Sequence, residues 1–400
     1  MKVLTIHNKY KVRGGEDESR ESEDRVLASK GHSVREIVLD NAEIPVKGSV
    51  LVGMNACWSQ KSYRRVRKVI DEWRPDILDV HNFFPLASPS VHYAGRRGKI
   101  PVVQTLHNYR LLCASATFFR QGKTCEDCTG CLGPWPGVIH RCYRNSTLQT
   151  GAVALMIAVH RLLRTWHRAV SLFIAVSEFE KRKFVENGFP ESMIQVKPNP
   201  VAEPGPPPAR GDTFLYVGRL SKEKGVGTLL QAVNLSNDGV RLRIVGQGPL
   251  EPEVRAAASR NPRIEFLGPL PQERVLRLMG EAKSLVFPSE CYETFGRVAA
   301  EAFACGTPVL ASSIGAIAEM VENGRTGLQF KPGDPADLAR VIGYMQSKAD
   351  RVAEMRVHAR KEYEAKFTLE RNYQLLMAAY ERATENCRKG NPARIAPAPG

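Results

Sequence analysis

The chain has 400 residues, 43% of them hydrophobic, enough to bury a large core and to build two or three domains. Its 32 glycines and 26 prolines sit near average usage and exclude a fibrous or low-complexity chain, and no run of about 18 uncharged apolar residues exists to cross a bilayer. The net charge of +15 is uneven, with 30 Lys/Arg against 19 Asp/Glu in residues 1–200 and a surplus of only 4 in the second half.

The opening residues, one Lys and then an apolar run over Val3–Ile6, predict a strand and not a signal peptide, so the expected location is the cytoplasm. Apolar runs then alternate with helical patterns, which predicts βαβ units and parallel sheets of the α/β class. Strands are expected at Lys2–Ile6, Ser33–Val38, Asp76–Val80, Pro101–Leu106 and Leu172–Val176. Helices are expected at Glu16–Lys30, Tyr63–Trp73, Leu148–Trp166 and Glu178–Glu186. Residues 198–211 carry six prolines and two glycines in fourteen positions, which neither a helix nor a strand can continue, and read as a linker. A second alternation follows, with strands at Phe214–Val217, Arg241–Val245, Ile264–Leu267, Ser284–Phe287 and Pro308–Ala311. Two such domains imply a cleft between them. A last helix, Leu369 to about Asn386, comes after the second sheet is complete, and the tail from Lys389 reads as disordered.

Several strand-to-helix turns carry residues suited to an anion. Gly14-Gly15 precedes the first helix, where a bare backbone approaches a ligand closely at a helix N-terminus; a simple turn is the bland alternative. In the second domain Gly218-Arg219 and Lys224-Gly225 bracket a short loop. Arg forks onto phosphate oxygens and Lys adds a mobile charge, so the pair suits a pyrophosphate; two ordinary surface cations would read the same. Gly246-Gln-Gly248 lacks the third glycine and the following acid of a dinucleotide fingerprint, and is expected to be a tight turn.

Residues 288–309, PSECYETFGRVAAEAFACGTPV, read as strand end, loop, short helix, turn and strand. Glu293 and Glu301 lie eight positions apart, about 80° off one face of a continuous helix. Glu293 is therefore expected in the loop and Glu301 in the helix, with separate roles. A capping acid plus a solvated helix acid is the structural alternative.

Gly14-Gly15, Leu106-His107-Asn108, Gly218-Arg219 with Lys224-Gly225, and the 288–309 run together resemble the family-4 retaining glycosyltransferases of the GT-B fold, from residue 1 to about 386. The resemblance implies two Rossmann-like parallel-sheet domains facing a cleft. Residues 1–197 would bind the acceptor, 198–212 link, 213–367 bind the nucleotide-sugar donor, 368–387 form a helix crossing back, and 388–400 a disordered tail. It implies Arg219 and Lys224 on the donor diphosphate and Glu301 on the ribose hydroxyls. Glu293, with the backbone of Thr294, Phe295 and Gly296, would hold the donor sugar. Gly15 would approach from the first domain, and His107 would sit near the reacting centre. The donor would be a UDP- or GDP-sugar. No catalytic metal is expected, since two cations already face the leaving group. Many relatives have two glycines at Ile314-Gly315 and an aliphatic residue at Arg297. A nucleotide-sugar epimerase or phosphorylase, or a non-catalytic nucleotide-sugar or membrane-binding scaffold, are the competing readings.

The densest basic cluster, Lys61, Arg64, Arg65, Arg67 and Lys68, is either a solvated helix face or an attachment to anionic lipid. No recognition helix or stacking motif supports nucleic acid. With a lipid-linked saccharide as the expected acceptor, the enzyme would work peripherally on the inner face of the membrane. Cys113, Cys125, Cys128, Cys131 and Cys142 crowd thirty residues after His107 with metal-ligand spacing. Structural zinc, reduced thiols and disulfides are all open there; one bacterial subgroup of the family carries a similar Cys-rich insertion.

Overall fold

The computed structural model describes residues 1–10, 14–43, 49–205, 209–237 and 239–390. Arg13 beside Gly14, the prolines at 206–208 and nearly all of the expected tail lie outside the described residues. Its contacts divide into two compact units. One comprises Met1–Phe118, Glu126–Pro198 and the chain from Asn372 onward; the other comprises Phe119–Cys125 and Asn199–Arg371.

The first unit is built on β1 (Lys2–Lys9), β2 (Ser33–Asp40), β3 (Ile77–Val80), β4 (Val102–Leu106), β7 (Leu172–Ala175) and β8 (Ile194–Val196); the small hairpin of β5 (Phe119–Arg120) and β6 (Lys123–Thr124), which lies between β4 and β7 in the chain, belongs to the other unit. The six-stranded sheet is parallel, in the order β2-β1-β3-β4-β7-β8. Its helices are α1 (Gly15–Ser29), α2 (Ser49–Cys57), α3 (Gln60–Trp73), α4 (Ser90–Arg97), α5 (Trp135–Ile139), α6 (Thr147–Leu162), α7 (Thr165–Ala169) and α8 (Glu178–Glu186). Unbroken apolar runs such as Ile77-Leu78 and Leu172-Phe173-Ile174 suit strands covered on both faces.

The second unit repeats the plan. Strands β9 (Thr213–Val217), β10 (Arg241–Val245), β11 (Ile264–Gly268), β12 (Ser284–Phe287), β13 (Val309–Ser312) and β14 (Gly327–Phe330) form a parallel sheet in the order β11-β10-β9-β12-β13-β14. Helices α9 (Val226–Leu235), α10 (Glu251–Arg260), α11 (Gln272–Glu281), α12 (Arg297–Ala304), α13 (Gly315–Met320), α14 (Pro335–Ser347) and α15 (Ala349–Lys366) follow its strands. The last helix among the described residues is α16 (Leu369–Arg388), whose Leu376, Ala379, Tyr380 and Ala383 pack on Val3, Ile77, Val103 and Ile174 of the first sheet. Each large apolar side chain sealed in this way contributes about 1.5–3 kcal/mol, so the last helix is an integral part of the first unit's core.

The expected helix over 148–166 is two helices. Arg164 takes a left-handed turn with φ of 51° between α6 and α7, and this lets Trp166 bury itself against Phe83 and His92. Strand β1 runs three residues past Ile6 because its polar end finds buried partners. His7 bonds Asp17, and Asn8 donates to Asn41.

Candidate functional site

In both sheets the strand order reverses once, between β1 and β3 and between β9 and β12. The carboxyl ends of parallel strands at such a switch point form the ligand crevice of open α/β sheets. Every second-unit residue expected on the donor follows one of these two strands. Arg219 and Lys224 lie between β9 and α9; Glu293 to Gly296 lie between β12 and α12; Glu301 is in the second turn of α12.

Lys224 Nζ lies 2.5 Å from Glu293 Oε1, and Ser289 Oγ donates to the same oxygen at 2.6 Å. Burial works against the ammonium, but Glu293 outweighs it and holds the Lys224 pKa above its usual value. The lysine is therefore a permanent cation at the strand ends. Gly225 follows it at φ of 67°, and a Cβ there would stand 1.8 Å from the Pro288 carbonyl oxygen. Only glycine lets the two loops close this tightly. Arg219 is exposed, and its carbonyl accepts from Tyr216 Oη at 2.8 Å. The Gly246 and Gly248 turn is tight for a similar reason: Cβ atoms there would meet the Gly218 and Leu220 carbonyl oxygens at 1.9 and 2.4 Å.

Gly296, at φ of 96°, caps α12 and turns its first N–H groups toward the loop. Phe295 is buried with its ring edge-on to Phe367, so only its backbone faces the site. Thr294 is half-buried. Glu301 is buried, and Oε1 accepts from Arg297 Nε and Gln272 Nε2, both at 3.0 Å. Arg297 thus fixes the rotamer of the expected ribose anchor and also donates to the Pro200 carbonyl. Gly315 stands where a Cβ would crowd the Glu293 backbone at 3.1 Å.

In the first unit Gly14 caps α1, with its N–H donating to Asp17 at 2.9 Å, and Gly15 opens the helix. His107 follows β4, and its Nε2 lies 3.1 Å from Nδ1 of His81, which follows β3. Nε2 of His81 faces Asp79 Oδ2 at 3.6 Å, and that oxygen accepts from Tyr380 Oη at 2.6 Å. Burial disfavours a charged His81, but Asp79 outweighs it and raises the pKa. Burial and then the His81 charge push His107 well below the ordinary range, so it is a neutral imidazole. Glu23 completes the cluster, its carboxylate paired with the fully buried Lys197. Sequence reasoning passed over Asp79, His81, Lys197 and Tyr380. The signal available was Asp79-Val-His81 at a strand end, where alternate residues share a face.

The basic residues expected at a membrane lie on α3. Lys61, Arg64, Arg65 and Lys68 are exposed, whereas Arg67 is half-buried, paired with Asp71 and aimed at the Ala94 carbonyl. The nine cysteines are in the thiol form. Cys128 Sγ and Cys142 Cβ lie 3.6 and 3.8 Å from the same point beside Gly137, and Cys113 Sγ is 3.2 Å from Ser115 Oγ. Among the described residues the only three His, Cys, Asp or Glu groups within mutual ligand reach are Glu23, Asp79 and His81. Their negative charge is already met by Lys197 and His81. Zinc at Cys113, Cys125, Cys128, Cys131 and Cys142 remains a proposal.

Residues 25–203 match the family model described as Glycosyltransferase Family 4, and residues 211–347 the one described as Glycosyl transferases group 1. The glycogen synthase of Mycobacterium tuberculosis is 38% identical over 135 residues, 32% of this chain and 32% of that protein, so the match spans about a third of the relative. The phosphatidyl-myo-inositol mannosyltransferase of Mycobacterium leprae is 29% identical over 304 residues, 75% of this chain and 71% of that one. Anabaena Alr3699/HepE, solved in complex with UDP-glucose, superposes with a TM-score of 0.65 at 19% identity, covering 95% of this chain and 99% of that one.

Proposed function

The chain belongs to the family-4 glycosyltransferases of the GT-B fold, and on that premise we propose that it moves a sugar, with retained anomeric configuration, from a nucleotide-diphosphate sugar to a lipid-linked saccharide. The observation that carries this reading is the Lys224–Glu293 pair at the β9/β12 switch point, between the N-termini of α9 and α12. A permanent cation, the exposed Arg219 and two helix N-termini on one sheet edge stabilise a departing diphosphate. Buried Glu301 offers carboxylate lone pairs to a ribose diol. Glu293, anchored on Lys224, presents its remaining oxygen and the following N–H groups to the donor sugar.

The bond from the anomeric carbon to the diphosphate oxygen breaks, and the acceptor hydroxyl bonds to the same face of that carbon. The hydroxyl proton passes to the departing phosphate oxygen. His107, neutral at physiological pH, supplies a hydrogen bond rather than a charge. A UDP-sugar is the favoured donor, because a neighbour of the same fold holds UDP-glucose. A lipid-linked acceptor is favoured by the relative named for phosphatidyl-myo-inositol and by the exposed basic face of α3. The test is incubation with UDP-, GDP- and ADP-sugars, with and without membrane extract, following nucleotide release. One donor should turn over, faster with extract and with the product linkage retained by NMR. Silence with every donor would overturn the reading.

A further inference from the structure

We propose that α2, α5 and α6 present an apolar face that inserts into the outer layer of an anionic bilayer and seats the first unit on it. Helix α6 carries Leu148, Leu155 and Leu162 at seven-residue spacing, with Ala152 and Val159 between them, and no charge on that stripe. Seven residues return to the same face within about 20°. Leu155 is 51% and Leu162 71% exposed, while Val153, Met156 and Ile157 on the opposite face are buried. The buried face accounts for folding; on the outer one Leu148, Leu155 and Leu162 stay exposed among the described residues. A helix apolar all round is buried by something.

The neighbouring elements widen the stripe. On one flank Gly53 of α2 is so close to α6 that a Cβ there would stand 3.0 Å from Ala152 Cβ. On the other, a Cβ at Gly133 would stand 2.9 Å from Ala158 Cβ. Ala152, Leu155 and Ala158 project about 60° apart in succession, so Leu155 points out between the two flanks. Met54 and Trp58 are exposed on the first flank, and Trp135 and Ile139 on the second, Ile139 at 79%. Exposed apolar side chains, two tryptophans among them, on three neighbouring elements mark an interaction site. Indole rings favour the bilayer interface.

Charge selects the occupant. Exposed Arg141 and Arg144 follow α5, and exposed Lys61 and Arg65 begin three residues beyond Trp58. A second copy of the chain would bring these cations against their own kind, whereas anionic headgroups complement them. Helix α6, 16 residues and about 24 Å long, is charged only at its end and would lie in the plane of the interface. Among the described residues no helix is long and apolar enough to span. The inference deepens the membrane part of the proposed function.

The full chain would be floated with vesicles of phosphatidylcholine alone and mixed with phosphatidylglycerol, and its tryptophan emission followed with brominated lipid. Expected are flotation with the mixed vesicles, bromine quenching, and at least a tenfold loss of both in Leu155→Asp/Leu162→Asp. Lys61→Glu/Arg65→Glu should weaken flotation and leave the residual binding less sensitive to salt. Thermal melting confirms that the exposed substitutions fold. Flotation without quenching, or unaltered in Leu155→Asp/Leu162→Asp, would overturn the proposal. So would a dimer in sedimentation that the same variant dissolves, which would give the face to a second copy. Binding of UDP or GDP to the wild-type protein in vesicle-free buffer reports separately on the donor reading.

Discussion

Tyr380 of the last helix donates its hydroxyl to Asp79 Oδ2 at 2.6 Å, inside the core of the first unit. The same carboxylate faces His81, and His81 faces His107. Asp79 favours a protonated His81 and His81 disfavours a protonated His107, which favours His81 Nδ1–H as the donor to His107 Nε2. The direction is set by which charge each neighbour tolerates. Asp79→Asn removes the charge that raises the His81 pKa. It should lower kcat by at least about 10-fold through the lost positioning, short of the roughly 10²–10⁴-fold supplied by a group that transfers the proton itself. The donor KM should move little, and the pH–rate profile should shift. Tyr380→Phe should cost about 1 kcal/mol of stability, the net worth of one hydrogen bond, with a smaller kcat loss. Equal losses of kcat and of folded protein would reduce the chain to a structural role.

The Lys224–Glu293 pair makes a separate prediction. Removing the lysine leaves a carboxylate only 14% exposed with Ser289 and the loop backbone around it. Lys224→Ala should weaken UDP binding by at least about tenfold, the size of one lost charge-assisted bond of about 1.5–3 kcal/mol. Adding Glu293→Gln to it should restore part of the lost stability, since no unpaired charge then remains, without restoring nucleotide affinity. Calorimetric binding and melting of both variants decide the matter; nucleotide affinity unaltered in Lys224→Ala would remove it from the phosphate site.

The second unit was largely legible in the sequence because its chemistry is local. Arg219 and Lys224 sit five residues apart around one turn, and the Glu293 to Glu301 stretch is a single loop and helix. The first unit was less legible because its chemistry is assembled across the chain. Helix α1, GEDESRESEDRVLAS, carries almost no apolar face, yet it buries Asp17, Arg20, Glu23 and Asp24. Their partners are His7, Thr5, Glu36 and Lys197, from three different strands or their ends. Hydrophobic periodicity cannot register a face buried through ion pairs. The stripe on α6 was hidden for the opposite reason: apolar residues at helical spacing look the same whichever way they face, and only exposure separates Leu148, Leu155 and Leu162 from Val153, Met156 and Ile157.

Two glycines should be intolerant of any side chain. Gly225→Ala would force a Cβ into the Pro288 carbonyl and hold alanine at φ of 67°; Gly246→Ala would meet the Gly218 carbonyl at φ of 138°. Steric and left-handed costs together should destabilise the second unit by about 2–4 kcal/mol. Gly227→Ala, in α9 with open space around its Cβ position, should be neutral or stabilising by about 0.5–1 kcal/mol. Denaturant unfolding of the three variants is the check, and a tolerated Gly225→Ala would refute the close approach of the two loops.

Glu16 gives a pH dependence with a defined sign. Its side chain is 12% exposed, and burial, then the neighbouring Asp17 charge, push its carboxyl up from 4.5 to about 8. The folded state therefore binds this proton more tightly than the unfolded chain does. The stability it contributes is fully present below about pH 4.5 and is lost as pH rises through about 8, over a span on the order of 3–5 kcal/mol. His7, 3.8 Å away, is itself held below its usual value by burial. Glu16→Gln removes the titration while keeping the shape. The variant should match the wild type near pH 5 and gain in melting temperature relative to it steadily toward pH 8.5. A difference between the two that does not change with pH would mean that Glu16 is ionised throughout.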